Sequence, residues 1–319
     1  MCGIAGYLSR TGADEPIGRV LLDMLTGLAR RGPDSAGVAC FRPHTDGTSV
    51  AWVRVPGAGG PDAEAALRSR LAGLAEVRDV QRHGDLLRLQ LWLNAPAGTI
   101  ARALERPGDD VEVVSIGEHL ELVKQVGAPG GLDATFGIAA MRGSHAIGHT
   151  RLSTESRVDL SHSQPFWAHG VADLATVHNG HITNYDRLRR LYEQKGVRFF
   201  SENDSEVIGV YLADQLERGR TLEQALANSL DDFDGSFTYL VATPDAIGYA
   251  RDPFALKPLV TVETDAYVAI ANEEIAIRHA LGTDGVAHEP SGHVYRLWYR
   301  AGAAAPAAAM PAAAATAAA

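Results

Sequence analysis

Cysteine is scarce in this sequence of 319 residues: Cys2 and Cys40 are the only two. Two thiols cannot build a disulfide framework, and a free thiol suits a reducing compartment. Basic runs are missing too, since 29 Lys and Arg stand against 39 Asp and Glu for a formal net charge of -10. Without a cluster to neutralise phosphates, a nucleic-acid-binding surface is not expected. Long apolar runs are also absent. Arg10, Asp14, Glu15 and Arg19 interrupt the opening stretch before a signal core can form. The closing segment 301–319, almost all alanine with Pro306 and Pro311, is too weakly hydrophobic to span a membrane and reads as a disordered tail. The expectation is a cytoplasmic protein with no membrane segment.

What is present is enough for a sizeable core: 46% of residues are hydrophobic and 21% charged. The most informative residue is Cys2. Removal of the initiator methionine would expose a thiol and a primary amine on one residue. An α-amino group titrates at about 7.7–8.0 and a thiol at about 8.5, so the amine can take the thiol proton near neutrality. The thiolate could then attack a carbonyl and form a thioester. Alternatively, Cys2 is a small apolar residue in a buried first strand.

Along the chain, Gly3 to Leu8 reads as a strand, and Val20, Leu21, Met24, Leu25 and Leu28 recur at helical spacing before Gly32-Pro33. From about 52 to 136 the elements alternate: helix over 63–80, strand over 86–93, helix over 100–104, strand over 111–116 and helix over 118–126. This reads as a small inserted α/β segment. Further on, Ala146 to Arg151 and Leu174 to Val177 read as strands, the second ending at His178-Asn179-Gly180. Asn184 can cap one helix, Asn203-Asp204-Ser205-Glu206 opens another, and Thr221-Leu222-Glu223-Gln224 is a capping box. Turn signals at Thr243-Pro244-Asp245 and Glu263-Thr264-Asp265 separate the β-rich remainder, which closes with a short helix from Glu273 and a last hairpin near Trp298.

Several of these element ends carry groups that suit an amide substrate with an amino-acid head. The Asn179 carboxamide and the Gly180 backbone N–H can both donate to an oxyanion, where one such donor contributes roughly 3 kcal/mol of transition-state stabilisation. Arg151 can grip a carboxylate through paired hydrogen bonds, and Asp204 can accept from an ammonium. Each has a duller alternative. Asn179-Gly180 could be a hairpin turn, Arg151 a surface ion pair and Asp204 a helix cap. The histidines between 145 and 181 suggest a metal site on paper, but Gly148 spoils a helical pair of His145 and His149. Loop and strand-end hydrogen bonding is the expected role, with no metal.

Six ordered motifs between residues 2 and 254 resemble the class II glutamine amidotransferases, the N-terminal-nucleophile hydrolases. They are Cys2-Gly3-Ile4-Ala5-Gly6, Arg31-Gly32-Pro33-Asp34-Ser35-Ala36-Gly37, Gly148-His149-Thr150-Arg151, His178-Asn179-Gly180, Asp204-Ser205-Glu206, and Asp234-Gly235-Ser236 with Arg251-Asp252-Pro253-Phe254. The resemblance implies an α+β fold, a four-layer αββα sandwich over residues 2–300, in which 52–136 is an insert. It implies Cys2 as nucleophile with its amine as base, Asn179 and Gly180 as oxyanion donors, Arg151 as carboxylate clamp and Asp204 as ammonium partner. Thr154 matches a family position near the glutamine, and Arg31 lies in a loop that borders the substrate pocket.

No acceptor domain is recognisable. The chain is similar to the separate amidotransferase subunits of split glutamate synthases, including N-methylglutamate synthase systems. That similarity implies a hetero-oligomer with glutamate-synthase-like partner subunits, with flavin and iron–sulfur centres on those partners and no cofactor on this chain. The competing expectation is a silent or partner-gated glutamine-binding regulatory subunit. Glu155 stands where the sugar-linked relatives carry histidine, so their acceptor coupling does not carry over.

Overall fold

The computed structural model describes residues 2–43, 47–57, 61–106, 109–153, 157–282 and 285–303. Met1, Thr154, Glu155 and the alanine-rich segment from 304 onward lie outside the described residues. Numbered along the chain, seven strands form one sheet in the order β15 (Ala287–His288), β13 (Val260–Glu263), β14 (Tyr267–Ala271), β1 (Gly3–Ser9), β8 (His145–Arg151), β2 (Ser35–Phe41) and β7 (Leu120–Val126). A second sheet runs β16 (Val294–Tyr299), β12 (Ala246–Arg251), β11 (Gly235–Thr243), β10 (Ala175–Ile182) and β9 (Phe166–Trp167). All pairings in both sheets are antiparallel.

The two sheets face each other, with β1 and β8 against β10 and β11. Gly6 permits that approach: a Cβ there would lie 2.9 Å from Ile247 Cδ1 and 3.1 Å from Leu240 Cδ1. Helices α1 (Ile17–Gly27) and α8 (Glu274–Leu281) cover the outer face of the first sheet. Across the second sheet lie α6 (Asp204–Glu217) and α7 (Leu222–Asp232), with α5 (Tyr185–Gln194) packed on α6. This is the expected four-layer αββα sandwich. Because each sheet is covered on both faces, β1, β2 and β8 are buried along their whole length.

A third sheet has the order β4 (Ala75–His83), β5 (Leu86–Leu93), β3 (Ser49–Arg54) and β6 (Glu112–Gly117), with helices α2 (Pro61–Leu71) and α3 (Ala97–Leu104) alongside. The added sheet therefore draws on Ser49 to Gly117, a narrower span than 52–136, and α4 (Gly130–Phe136) follows β7 of the main sheet. The helix expected over 63–80 stops at Leu71, and the left-handed Gly73 turns the chain into β4. The helix expected over 118–126 is strand β7, paired with β2 from Ser35↔Val126 to Phe41↔Leu120.

Three smaller expectations are also corrected. Asn184 gives no side-chain cap to α5; it donates to Asp232 O at 2.9 Å and accepts from Asp234 N at 3.1 Å, tying α5 to the end of α7. The last two strands do not form a hairpin, since β15 pairs with β13 and β16 with β12. His149 is buried inside β8 and is not a strand-end group, whereas His145 opens that strand and is buried there. The capping box at Thr221 and Gln224 is present in full.

Candidate active site

The site lies where β1 begins. Cys2 precedes the first residue of that strand, and its Sγ lies 3.7 Å from Leu152 O, to which it donates. Burial pushes the thiol above its ordinary value, while the positive charges of Arg151 and Arg31 draw it back. The Cys2 carbonyl oxygen accepts from two side chains, Arg31 Nε at 3.1 Å and Asn179 Nδ2 at 3.3 Å. Arg31 is paired in turn with Glu273, at the start of α8. Its described contacts place it against the Cys2 backbone, and the cavity is walled by other residues.

Asn179 and Gly180 are not a turn. They sit inside β10, opposite Thr238 and Phe237 of β11. Gly180 has φ +150, and a Cβ there would meet Ser236 O and lie 2.6 Å from Phe237 Cα, so this strand position requires glycine. Parity along the strand sets the direction of its N–H. His178 N donates to Gln164 Oε1 at 2.6 Å and Ile182 N to Asp204 Oδ2 at 2.8 Å, both on the edge away from β11. Gly180, midway between them, presents its N–H on that same edge.

Arg151 ends β8 and is 3% exposed, its Nη1 donating to Arg157 O at 2.8 Å and its Nη2 to Ser153 Oγ at 3.5 Å. Asp34 fixes the adjoining loop, since its Oδ2 accepts from Ser153 N at 2.8 Å and its N donates to Arg151 O at 3.0 Å. The loop that begins Arg31-Gly32 thus serves as scaffold for two of the site's elements. Asp204 opens α6 but is not its cap. That role belongs to Asn203, whose side chain accepts from Ser205 N at 3.1 Å. Asp204 Oδ2 lies 3.4 Å from His181 Nδ1, and Oδ1 lies 3.8 Å from His178 Nδ1.

These groups share one cavity of about 600 Å³, lined among others by Cys2, Arg151, Asn179, Gly180 and Asp204. It is large enough for a free amino acid with a carboxamide side chain. Of the residues singled out in the sequence, Cys2, Asn179, Gly180, Arg151 and Asp204 come together. Arg31 stands against the Cys2 backbone, and Thr154 lies outside the described residues. Sequence reasoning missed Gln164, Ser205 and Glu273. No group of three His, Cys, Asp or Glu able to hold a metal occurs among the described residues.

The layered fold and the placement of Cys2 at the head of β1 define the class: an N-terminal-nucleophile hydrolase sandwich. The sequence model for the glutamine amidotransferase domain matches residues 149–279. The chain is 38% identical over 280 residues to the glutamine amidotransferase-like protein GlxB of Rhizobium meliloti, covering 87% of this chain and 91% of that protein. It is 35% identical over 300 residues to a putative glutamine amidotransferase of Methanothermobacter thermautotrophicus, covering 92% and 98%. Among solved structures, the glutamine phosphoribosylpyrophosphate amidotransferase of B. subtilis superposes with a TM-score of 0.57 at 20% identity. The match covers 91% of this chain and 46% of that one, so the chain spans less than half of that relative and shares its fold. The protein belongs to the class II glutamine amidotransferase family.

Proposed function

We propose that the chain hydrolyses the side-chain amide of L-glutamine to glutamate and ammonia through a thioester on Cys2. The carrying observation is the convergence of Cys2, Asn179, Gly180, Arg151 and Asp204 on one cavity. Once Met1 is removed, the Cys2 amine takes the thiol proton and the thiolate attacks the amide carbon. Asn179 Nδ2 and Gly180 N–H receive the developing oxyanion. The C–N bond breaks as the proton returns to the leaving nitrogen, and ammonia departs. Water then attacks the thioester, releasing glutamate and restoring the thiol. Arg151 holds the substrate carboxylate and Asp204 its ammonium, which selects a free α-amino acid.

The finer reading assigns residues 2–300 to one amidotransferase unit with an inserted α/β segment at about 52–136. It hands ammonia to a glutamate-synthase-like partner subunit in a cytoplasmic hetero-oligomer. The similarity to GlxB, an amidotransferase-like protein of nearly the same length, supports a separate subunit. Steady-state hydrolysis of glutamine tests the chemistry. Cys2→Ala abolishes turnover in a chain that stays folded, and retained hydrolysis would remove Cys2 from the reaction.

A further inference from the structure

Strand β10 outruns its neighbour. Strand β9 pairs with it only at Ala175 and Thr176, so from His178 onward the outer edge of β10 has side chains in place of a strand. Gln164 takes the first place. Its Oε1 accepts from His178 N at 2.6 Å and its Nε2 donates to His178 O at 3.2 Å, the two bonds a paired residue would make. Asp204 takes the last, at Ile182 N. Between these two contacts the Gly180 N–H faces the cavity.

The contacts around His178 extend this arrangement. Gln164 Nε2 also donates to Ser205 Oγ at 3.0 Å, Ser205 Oγ lies 2.8 Å from His178 Nδ1, and His149 Nε2 lies 3.1 Å from His178 O. Gln164, His178 and Ser205 are 3%, 2% and 2% exposed, so these polar groups have little recourse to water. The His178 ring reaches under the donor pair, its Nε2 3.0 Å from where a Gly180 Cβ would lie.

We propose that Gln164 is a positioning residue for the oxyanion donors. Its carboxamide completes the strand edge at His178 and so fixes Asn179 and Gly180 against Cys2, while Ser205 keeps that edge in register with Asp204. The proposal rests on the glutaminase reading for its kinetic consequence and on geometry for the clamp itself, so two measurements separate them.

Amide hydrogen exchange in the full chain reads the clamp without reference to turnover. The His178 amide is protected in the parent and loses that protection in Gln164→Met; unchanged protection overturns the proposal even if glutamine is never hydrolysed. Where hydrolysis depends on Cys2, Gln164→Met lowers kcat by roughly 10–100-fold, because displaced donors forfeit part of what a lost donor forfeits. KM stays within about threefold, since Arg151 and Asp204 remain. In an Asn179→Ala background the same change adds little, because both act on one donor pair. A kcat within twofold of the parent, or a loss that multiplies in full with Asn179→Ala, overturns the assignment. Should Gln164→Met fail to fold, Ser205→Ala, which removes the second acceptor of Gln164 Nε2, carries the kinetic readouts with an expected kcat loss of about 3–10-fold, and a kcat within twofold of the parent or a loss that multiplies in full with Asn179→Ala overturns the assignment.

Discussion

At the scale of single residues, the site combines a thiol that is reluctant to ionise with a neighbourhood built to receive charge. Burial holds the Cys2 thiol above its ordinary value despite Arg151 and Arg31, which disfavours the thiolate. Arg151 is held by Arg157 O and Ser153 Oγ. Replacing it with alanine is expected to raise KM for glutamine at least about tenfold with a smaller change in kcat, the pattern of lost carboxylate binding. An unchanged KM would take Arg151 out of the site. Of the proposed site, the residues legible in the sequence are those proposed to act through their own side chain or backbone, Cys2, Arg151, Asn179, Gly180 and Asp204, which line one cavity. Gln164 and Ser205 were not legible, because their contribution depends on which edge of β10 lacks a strand. Arg31 was read as a border of the pocket and stands instead against the Cys2 carbonyl.

At the scale of elements, β7 shows why the stretch 118–126 was misread as a helix. Leu-Glu-Leu-Val-Lys-Gln-Val places Glu121 and Lys124 in the interior, so the polar and apolar positions do not sort by face. The reason is the added sheet next to it. Glu121 accepts from Arg88 Nε at 2.6 Å and Nη2 at 3.2 Å, and from Trp52 Nε1 at 3.3 Å. Burial alone would push this carboxyl up, but Arg88, Arg42 and Trp52 hold it below its usual value. Arg88→Met removes the principal partner from a carboxylate 5% exposed, and we expect a loss of about 3–5 kcal/mol in urea unfolding. A loss under about 1 kcal/mol would mean that Arg42 and Trp52 suffice to compensate the buried charge. Elements with strong local signals, such as the boxed start of α7, needed no such tertiary information.

At the scale of the whole molecule, the two facing sheets bury polar groups as well as apolar ones. Burial between the layers lowers His145 to about 4 and His149 to about 3. In the unfolded chain both titrate near 6.5, so between that value and the folded ones the unfolded state binds more protons. Their stabilising contribution is present in full above about pH 6.5 and is lost as pH falls toward 4 and then 3. The expected slope is roughly 1.4 kcal/mol per pH unit for each histidine. Unfolding free energies of the parent and of His149→Gln over that range test this. The variant should show a shallower slope, and an identical slope would show that His149 is not kept neutral by the fold. The sandwich was legible through the six ordered motifs, while the limits of the added sheet were not, because β7 follows the insert in sequence and belongs to the main sheet by pairing.

The central claim is that Cys2 becomes an armed N-terminal nucleophile in a glutamine site. Intact mass of the purified chain, before and after a glutamine-analogue diazo-ketone, addresses it most directly. The expected result is a chain lacking Met1 that gains one adduct, mapped to Cys2 and blocked by excess glutamine. A chain that retains Met1, or a trimmed chain labelled elsewhere or not at all, would contradict it.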